Sequence, residues 1–478
     1  MFFDFHCHPS FKTFLGNRQQ SLRKDCWTNL NFAIDMNILD SQASLTQIKA
    51  GKAKLIVWTL YALENAFAGS WKIKAAAGFS PHIEKMFLKE IQQEKWGYRE
   101  LMLDEHQHLL LSKNISAQKS FEVLDSITDF DPNSTKLQVI LAVEGGHNFY
   151  HDVQEPGVQS DVLENLRFHK QPGNPRLLYV TLTHLQQSKF CTHAFGMKLI
   201  KNRVFNPIGK SLNPLGRAFI REALSTQHGR RILIDVKHMS LKSRLSYYKL
   251  RKNEFPDAPI VATHMGITGV SYMKKPVHKI QSNIKKKCVE VFYWRSLGAM
   301  DSYFNPWSIN LYDEDIEEIM LSGGLIGLSL DQRILGWGNV SKEHFSEEEY
   351  VESEFQLVKR PKYHTLSNQH HNSSQKLKDW QMRYFCNNWL HVIKVGLEVI
   401  GDEAWNHVCV GSDFDGLIDP VNDFKSAADY KFLFGRVVEW MPFVAEAMGI
   451  PMPAQDVQDK VRGLVFDNAL EFLQEHYV

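Results

Sequence analysis

The chain has 478 residues, 44% hydrophobic and 23% charged, which is ample apolar material for a large globular core. Its net charge of +1 gives no global field that would favour nucleic acid or an anionic membrane, and no run of eighteen apolar residues marks a transmembrane helix. Six cysteines without CxxC pairing, and no signal-like segment ahead of the first predicted strand, lead us to expect reduced thiols and a cytoplasmic protein.

Phe2-Phe3-Asp4-Phe5-His6-Cys7-His8 reads as a short buried strand closed by Pro9. His6 and His8 are two apart, so on a strand they leave the same face and can share one divalent ion. Residues 11–50 carry helical spacing around Leu39, Leu45 and Ile48, and Leu55–Tyr61 is a second strand. Residues 73–128 are helix-rich, with Ile83, Met86, Phe87 and Ile91 on one face. Leu137–Glu144 is a third strand, ending on a carboxylate before Gly145 and Gly146. Leu177–His184, Arg231–His238 and Pro259–His264 are the next three, each ending on histidine. Between them, Asn213 caps a helix that starts at Pro214 and runs to Leu224.

The lysines of residues 274–287 read as a solvated face. Asp313–Met320 is a helix with an acidic first turn, and Gly323–Asp331 is a seventh strand. Residues 338–380 read as an exposed insertion, with His370 and His371 on a loop rather than on metal. Trp380–Ile400 is an amphipathic helix, Val408–Gly416 an eighth strand containing Asp413 and Asp415, and Val461–Glu475 a last helix.

Strand and helix patterns thus alternate eight times, which predicts a single α/β domain over residues 1–478, a (β/α)8 barrel with polar insertions around 267–305 and 338–380. Function in that architecture sits at the C-terminal strand ends. His6, His8, Glu144, His184, His238, His264 and Asp413 all fall there, and buried polar groups without partners are costly. A metal supplies the partner. Histidine and carboxylate ligands without thiolate suit Zn²⁺, with another first-row ion as the alternative.

Five ligands are too many for one catalytic zinc. A bridging Glu144 divides them, with His6 and His8 on one ion and His238 and His264 on the other. Such a pair, about 3.5–4 Å apart, acidifies a shared hydroxide. Asp413 is then the general base or a further ligand, and His184 polarises the substrate carbonyl. Asp415 shapes its loop. Trp58 and Tyr61 either wall the pocket or belong to the core.

The order and wording of these motifs resemble the renal (membrane) dipeptidase family of the metal-dependent amidohydrolase superfamily. The matching stretches are Asp4–His8, Val143–Gly146, Thr181–His184, Leu215-Gly216 through Ile234–Ser240, Thr263-His264 and Gly411–Gly416. Asn310–Asp315 and Asp467–Ala469 also match. The resemblance implies an amidohydrolase-type barrel with two zinc ions that hydrolyses dipeptides, with Glu144 bridging, His184 on the substrate carbonyl and Asp413 transferring protons. By resemblance only, a homodimer is expected.

Two departures stand out. The family has His-x-Asp where this chain has His6-x-His8, which leaves the site one negative charge poorer. Its arginine for the substrate carboxylate is replaced here at about Ile309, with Arg295 or a lysine of 274–287 as the candidate substitute. An amidohydrolase acting on an N-acyl amino acid, lactone or phosphoester is therefore the alternative reading, and a non-catalytic metal-binding barrel a more distant one.

Overall fold

Phe2–Cys7 forms the first strand (β1), and every residue in it is buried. Seven more strands follow: β2 (Ala53–Leu60), β3 (Leu137–Glu144), β4 (Leu177–Thr181), β5 (Leu233–Asp235), β6 (Val261–Met265), β7 (Leu325–Leu328) and β8 (Val408–Val410). In this computed structural model, which describes residues 1–31, 38–70, 82–150, 159–196, 202–338, 342–355, 357–358 and 374–478, each strand pairs in parallel with the next in sequence. The result is a nearly closed parallel barrel with helices around it, as the alternation predicts. A short strand, Phe121–Val123, joins the start of β3.

The barrel closes at its C-terminal end. There the β8–β1 ladder is reduced to one bridge, Cys7 to Phe414. The amide of His8 donates to Phe414 O (2.9 Å) and that of Asp413 to His6 O (2.9 Å). The seam bonds therefore fix the first predicted metal ligands beside the predicted base.

The strands are shorter than the apolar runs suggest. His184, His238 and Asp413 each lie three residues beyond their strand, on the turns that lead out of it. His238 (φ 65°) and Asp413 (φ 63°) adopt left-handed backbone, a strained conformation for non-glycine residues that recurs at functional sites.

The helices follow their local signals. Asn213 Oδ1 accepts from Gly216 N (2.9 Å) to cap Pro214–Leu224. Ser44 and Gln47 form a capping box on Leu45–Ala50. The helix at Lys85–Gln92 buries Phe87, Leu88 and Ile91, while Met86 is exposed, so the apolar face is rotated from the predicted one. The helix ending at Ile400 begins at Ser374, and a π-helical turn at Gly463–Asp467 splits the last helical region. No described helix is long and apolar enough to cross a membrane.

Residues of the two predicted insertions meet. Val277–Asn283, Cys288–Tyr293 and Lys342–Ser346 form a three-stranded antiparallel sheet. Its apolar side packs on Phe195, Trp307 and Ile309 to make a second, smaller core. Lys274, Lys279, Lys285 and Lys287 are exposed, but Lys275 is not: it is buried, donates to Tyr272 O (2.7 Å) and lies 4.6 Å from the Phe355 ring centre. A long aliphatic stem packed over aromatics explains that departure from a solvated face. His370 and His371 lie outside the described residues.

Candidate metal centre

The predicted residues converge at the C-terminal mouth. His6 Nε2 is 3.1 Å from His8 Nε2, and His8 Nε2 is 3.3 Å from Glu144 Oε2. Across the carboxylate, Glu144 Oε1 is 3.1 Å from His238 Nε2 and 3.4 Å from His264 Nε2. Glu144 Oε2 thus faces His8, while Oε1 faces His238 and His264 and lies 3.9 Å from His6 Nε2, so the carboxylate sits among all four imidazoles. Asp413 Oδ1 lies 3.6 Å from His8 Nε2 and 3.9 Å from His6 Nε2. His184 Nε2 is 3.8 Å from Glu144 Oε2.

Local structure aims each group. Gly145, at φ 93°, turns the chain directly after Glu144, and Asn148 Nδ2 donates to Glu144 O (2.7 Å) to hold that turn. Asp4 accepts from Ser412 N (2.9 Å) and Ser412 Oγ (2.6 Å), which ties β1 to the Asp413 turn. Asp415 accepts from the amides of Gln42 and Ala43 and pairs with Lys12 (2.7 Å), so it anchors a loop, as expected.

The hydrogen-bond network assigns the imidazole tautomers. Tyr179 OH donates to Phe5 O (3.0 Å), so its oxygen receives the proton of His6 Nδ1 (2.9 Å). His8 Nδ1 faces Thr59 O (3.0 Å), which can only accept. Thr263 Oγ1 donates to Asp235 Oδ2 (2.8 Å) and so accepts from His264 Nδ1 (2.8 Å). In the neutral form of all three rings the proton sits on Nδ1, which leaves the lone pair on Nε2. Those lone pairs point at one another and at a buried carboxylate, a repulsive cluster unless a cation lies among them. Such outer partners are also what orient metal-ligating histidines. Three overlapping groups have ligand atoms close enough to hold an ion: His6, Glu144 and His264; His6, His8 and Asp413; Glu144, His184 and His238. The donor set therefore fits divalent metal.

The charges agree. Burial holds His6 and His264 well below the ordinary histidine value and His238 down to about 3, so these rings stay neutral. His8 is raised despite its burial, because Glu144 and Asp413 attract a cation at its Nε2. Burial works to raise Glu144, yet His184, His238 and His8 keep it well below the usual carboxyl range. Burial and the charge of Glu144 push Asp413 well above it.

His184 belongs to a relay that sequence reading missed. Its Nδ1 pairs with Glu64 Oε1 (2.7 Å), and Glu64 Oε2 accepts from Tyr61 OH. Burial opposes a charge on His184, but Glu64 and Glu144 outweigh it and raise the ring to about 9. Glu64 lies just beyond β2, the position that singled out the other polar residues, and that placement was its available signal. Tyr61 stands against His184 (ring centres 4.8 Å apart), whereas Trp58 is core, donating to Ser10 Oγ (2.8 Å). Of the candidate replacement cations, Arg295 is exposed and lies over Tyr303, and Lys275 is buried against Tyr312 and Phe355. Ile309 is buried in the second core.

No family model and no curated protein matches the sequence. Solved structures do. The chain is similar to a metallopeptidase of family M19 called dipeptidase AC (15% identity, TM-score 0.54, covering 100% of this chain and 98% of that one). It is similar to a metallopeptidase from Rhodobacter sphaeroides bound to a phosphinate mimic of the dipeptide L-Ala-D-Ala (15%, TM-score 0.54, 100% and 99%). A third is the probable dipeptidase PvdM from Pseudomonas aeruginosa (12%, TM-score 0.55, 100% and 95%). Over its whole length, the chain shares the fold of the M19 metallopeptidases.

Proposed function

We propose that this chain is a metal-dependent hydrolase that cleaves the amide bond of dipeptides or related small amides, with two divalent ions, Zn²⁺ foremost, as its cofactor. The observation that carries this reading is the convergence of Nε2 atoms from His6, His8, His238 and His264 on Glu144, with His8 at Oε2 and the other three nearest Oε1. In this reading His6, His8 and Glu144 would hold one ion, and Glu144, His238 and His264 the other. Bound there, the ions acidify water and polarise the scissile carbonyl.

The remaining work falls to side chains. Asp413, beside His6 and His8, accepts the proton of the attacking water and returns it to the leaving amine. Its raised proton affinity suits a group that must carry that proton for part of the cycle. His184, kept cationic by Glu64, presents Nε2–H to the oxygen that becomes negative in the tetrahedral stage.

A second reading has its own support. Ile309 is 3% exposed among apolar side chains, where a substrate carboxylate would need a cation. That favours a substrate without a free carboxylate at this end, such as an amide whose outer group is apolar. Elemental analysis of the purified protein, followed by a hydrolysis screen across dipeptides of both stereochemistries, N-acyl amino acids, lactones and phosphoesters, decides between them. Metal content of two ions per chain with dipeptide turnover is expected. Bound metal with no turnover anywhere in the panel would leave a non-catalytic barrel.

A further inference from the structure

The chain curls tightly after β8. Asp413 (φ 63°), Asp415 (φ 68°) and Leu417 (φ 63°), in alternate positions, all adopt left-handed backbone. Gly416, which stands among them, does not. Its own backbone conformation therefore has no need of glycine, and something else must keep a side chain out.

The obstacle is the carboxylate of Asp413. A β-carbon built on Gly416 would lie 2.0 Å from Asp413 Oδ1 and 2.9 Å from its Cγ. Non-bonded atoms do not approach that closely, so one of the two would have to move. Gly411, at the other end of the same turn, is a different case. A β-carbon there would lie 1.8 Å from Thr263 O, a main-chain atom of β6. A substitution at Gly411 presses on the barrel itself. One at Gly416 presses on the free end of a single side chain.

That side chain has few other restraints. Asp4 is fixed by Ser412 N and Oγ, Asp235 by Thr181 and Thr263, and Asp415 by two amides and Lys12. The carboxylate of Asp413 accepts no hydrogen bond among the described residues. Its Oδ1 lies 3.6 and 3.9 Å from the Nε2 atoms of His8 and His6, beyond hydrogen-bonding distance. Packing, rather than donors, must set its direction. The bare α-carbon of Gly416, held close because its amide donates to Asp413 O (3.0 Å), is the surface it rests on.

Resting on the reading of Asp413 as proton carrier, we propose that Gly416 is a positioning residue: the space it leaves is what lets the Asp413 carboxylate lie beside His6 and His8. An alanine there is compatible with the backbone and with the fold. It moves the carboxylate by about 1 Å or more, and a misplacement of that size in a reacting group costs about 10²-fold in rate.

The test is Gly416→Ala in the full chain, beginning with crystal structures of wild type and variant. Asp413 Oδ1 should shift away from its wild-type place while the backbone of residues 411–418 superposes. Metal content should be unchanged. On the substrate found by the hydrolysis screen, kcat should fall about 10²-fold with KM unchanged. In an Asp413→Asn background, adding Gly416→Ala should cost less than about a further twofold, because the group it displaces is already disabled. A carboxylate that stays in place overturns the proposal, and that result needs no turnover. So does a variant that fails to fold or loses metal, since the glycine would then serve the barrel or the ions. Full turnover with a displaced carboxylate, or the same loss in both backgrounds, overturns it as well. If Asp413→Asn keeps full turnover, the reading of Asp413 fails along with it. If Asp413→Asn is inactive and Gly416→Ala is not, this inference alone fails.

Discussion

The candidate metal centre and the small antiparallel sheet each bury a glutamate, and they treat it in opposite ways. Glu343, fully buried in the sheet, accepts from Ser308 N (2.8 Å), from Ser308 Oγ and from Tyr293 OH (2.8 Å). Amide and hydroxyl donors replace the water it lost, and the residue ties the sheet to the 308–310 segment. Glu144, also buried, faces the Nε2 atoms of His8 and His264, whose ring protons the surrounding network holds on the far nitrogen. A carboxylate satisfied by the protein is a structural fastening. One that the protein surrounds with further donors of electron pairs is arranged for a cation.

Substitutions can break that contrast, beginning with the largest effect. Glu144→Gln removes the only charge shared by both histidine pairs. Elemental analysis should find metal lost, and turnover should fall at least about a thousandfold. A variant that keeps its metal would show that the histidines alone suffice. Asp413→Asn should retain the metal, because the imidazoles and Glu144 remain, yet lose turnover by about 10²- to 10⁴-fold. Unchanged turnover at unchanged metal content removes Asp413 from the mechanism.

The satisfied glutamate should respond to pH instead. Burial raises Glu343 from 4.5 to about 7, so between those values the folded chain holds a proton that the unfolded chain has released. Stability from this group is therefore fully present below about pH 4.5 and lost as pH rises through about 7, by ~3 kcal/mol at most. Glu343→Gln removes the titration. Between pH 5 and pH 7.5 the wild type should lose more melting temperature than the variant. Parallel losses would mean that Ser308 and Tyr293 fully compensate the buried charge.

Much of the centre was legible because its signals are local. A histidine or carboxylate closing an apolar run is visible one strand at a time, and this picked out His6, His8, Glu144, His238, His264 and Asp413. Glu64 was passed over for a related reason, since it sits past the end of its run and acts through His184. The pairing of the two insertions had no local signal, since Cys288–Tyr293 meets Lys342–Ser346 across about fifty residues of sequence.

The sequence by itself determined the eight strands, their parallel order and the residue types at their ends, because periodicity and strand-end position are properties of short segments. Only the tertiary structure decided which ring nitrogens of His6, His8 and His264 hold the proton and which carboxylates are satisfied. Those depend on Tyr179, Thr59 and Thr263, groups brought from separate strands to within hydrogen-bonding reach only when the barrel closes.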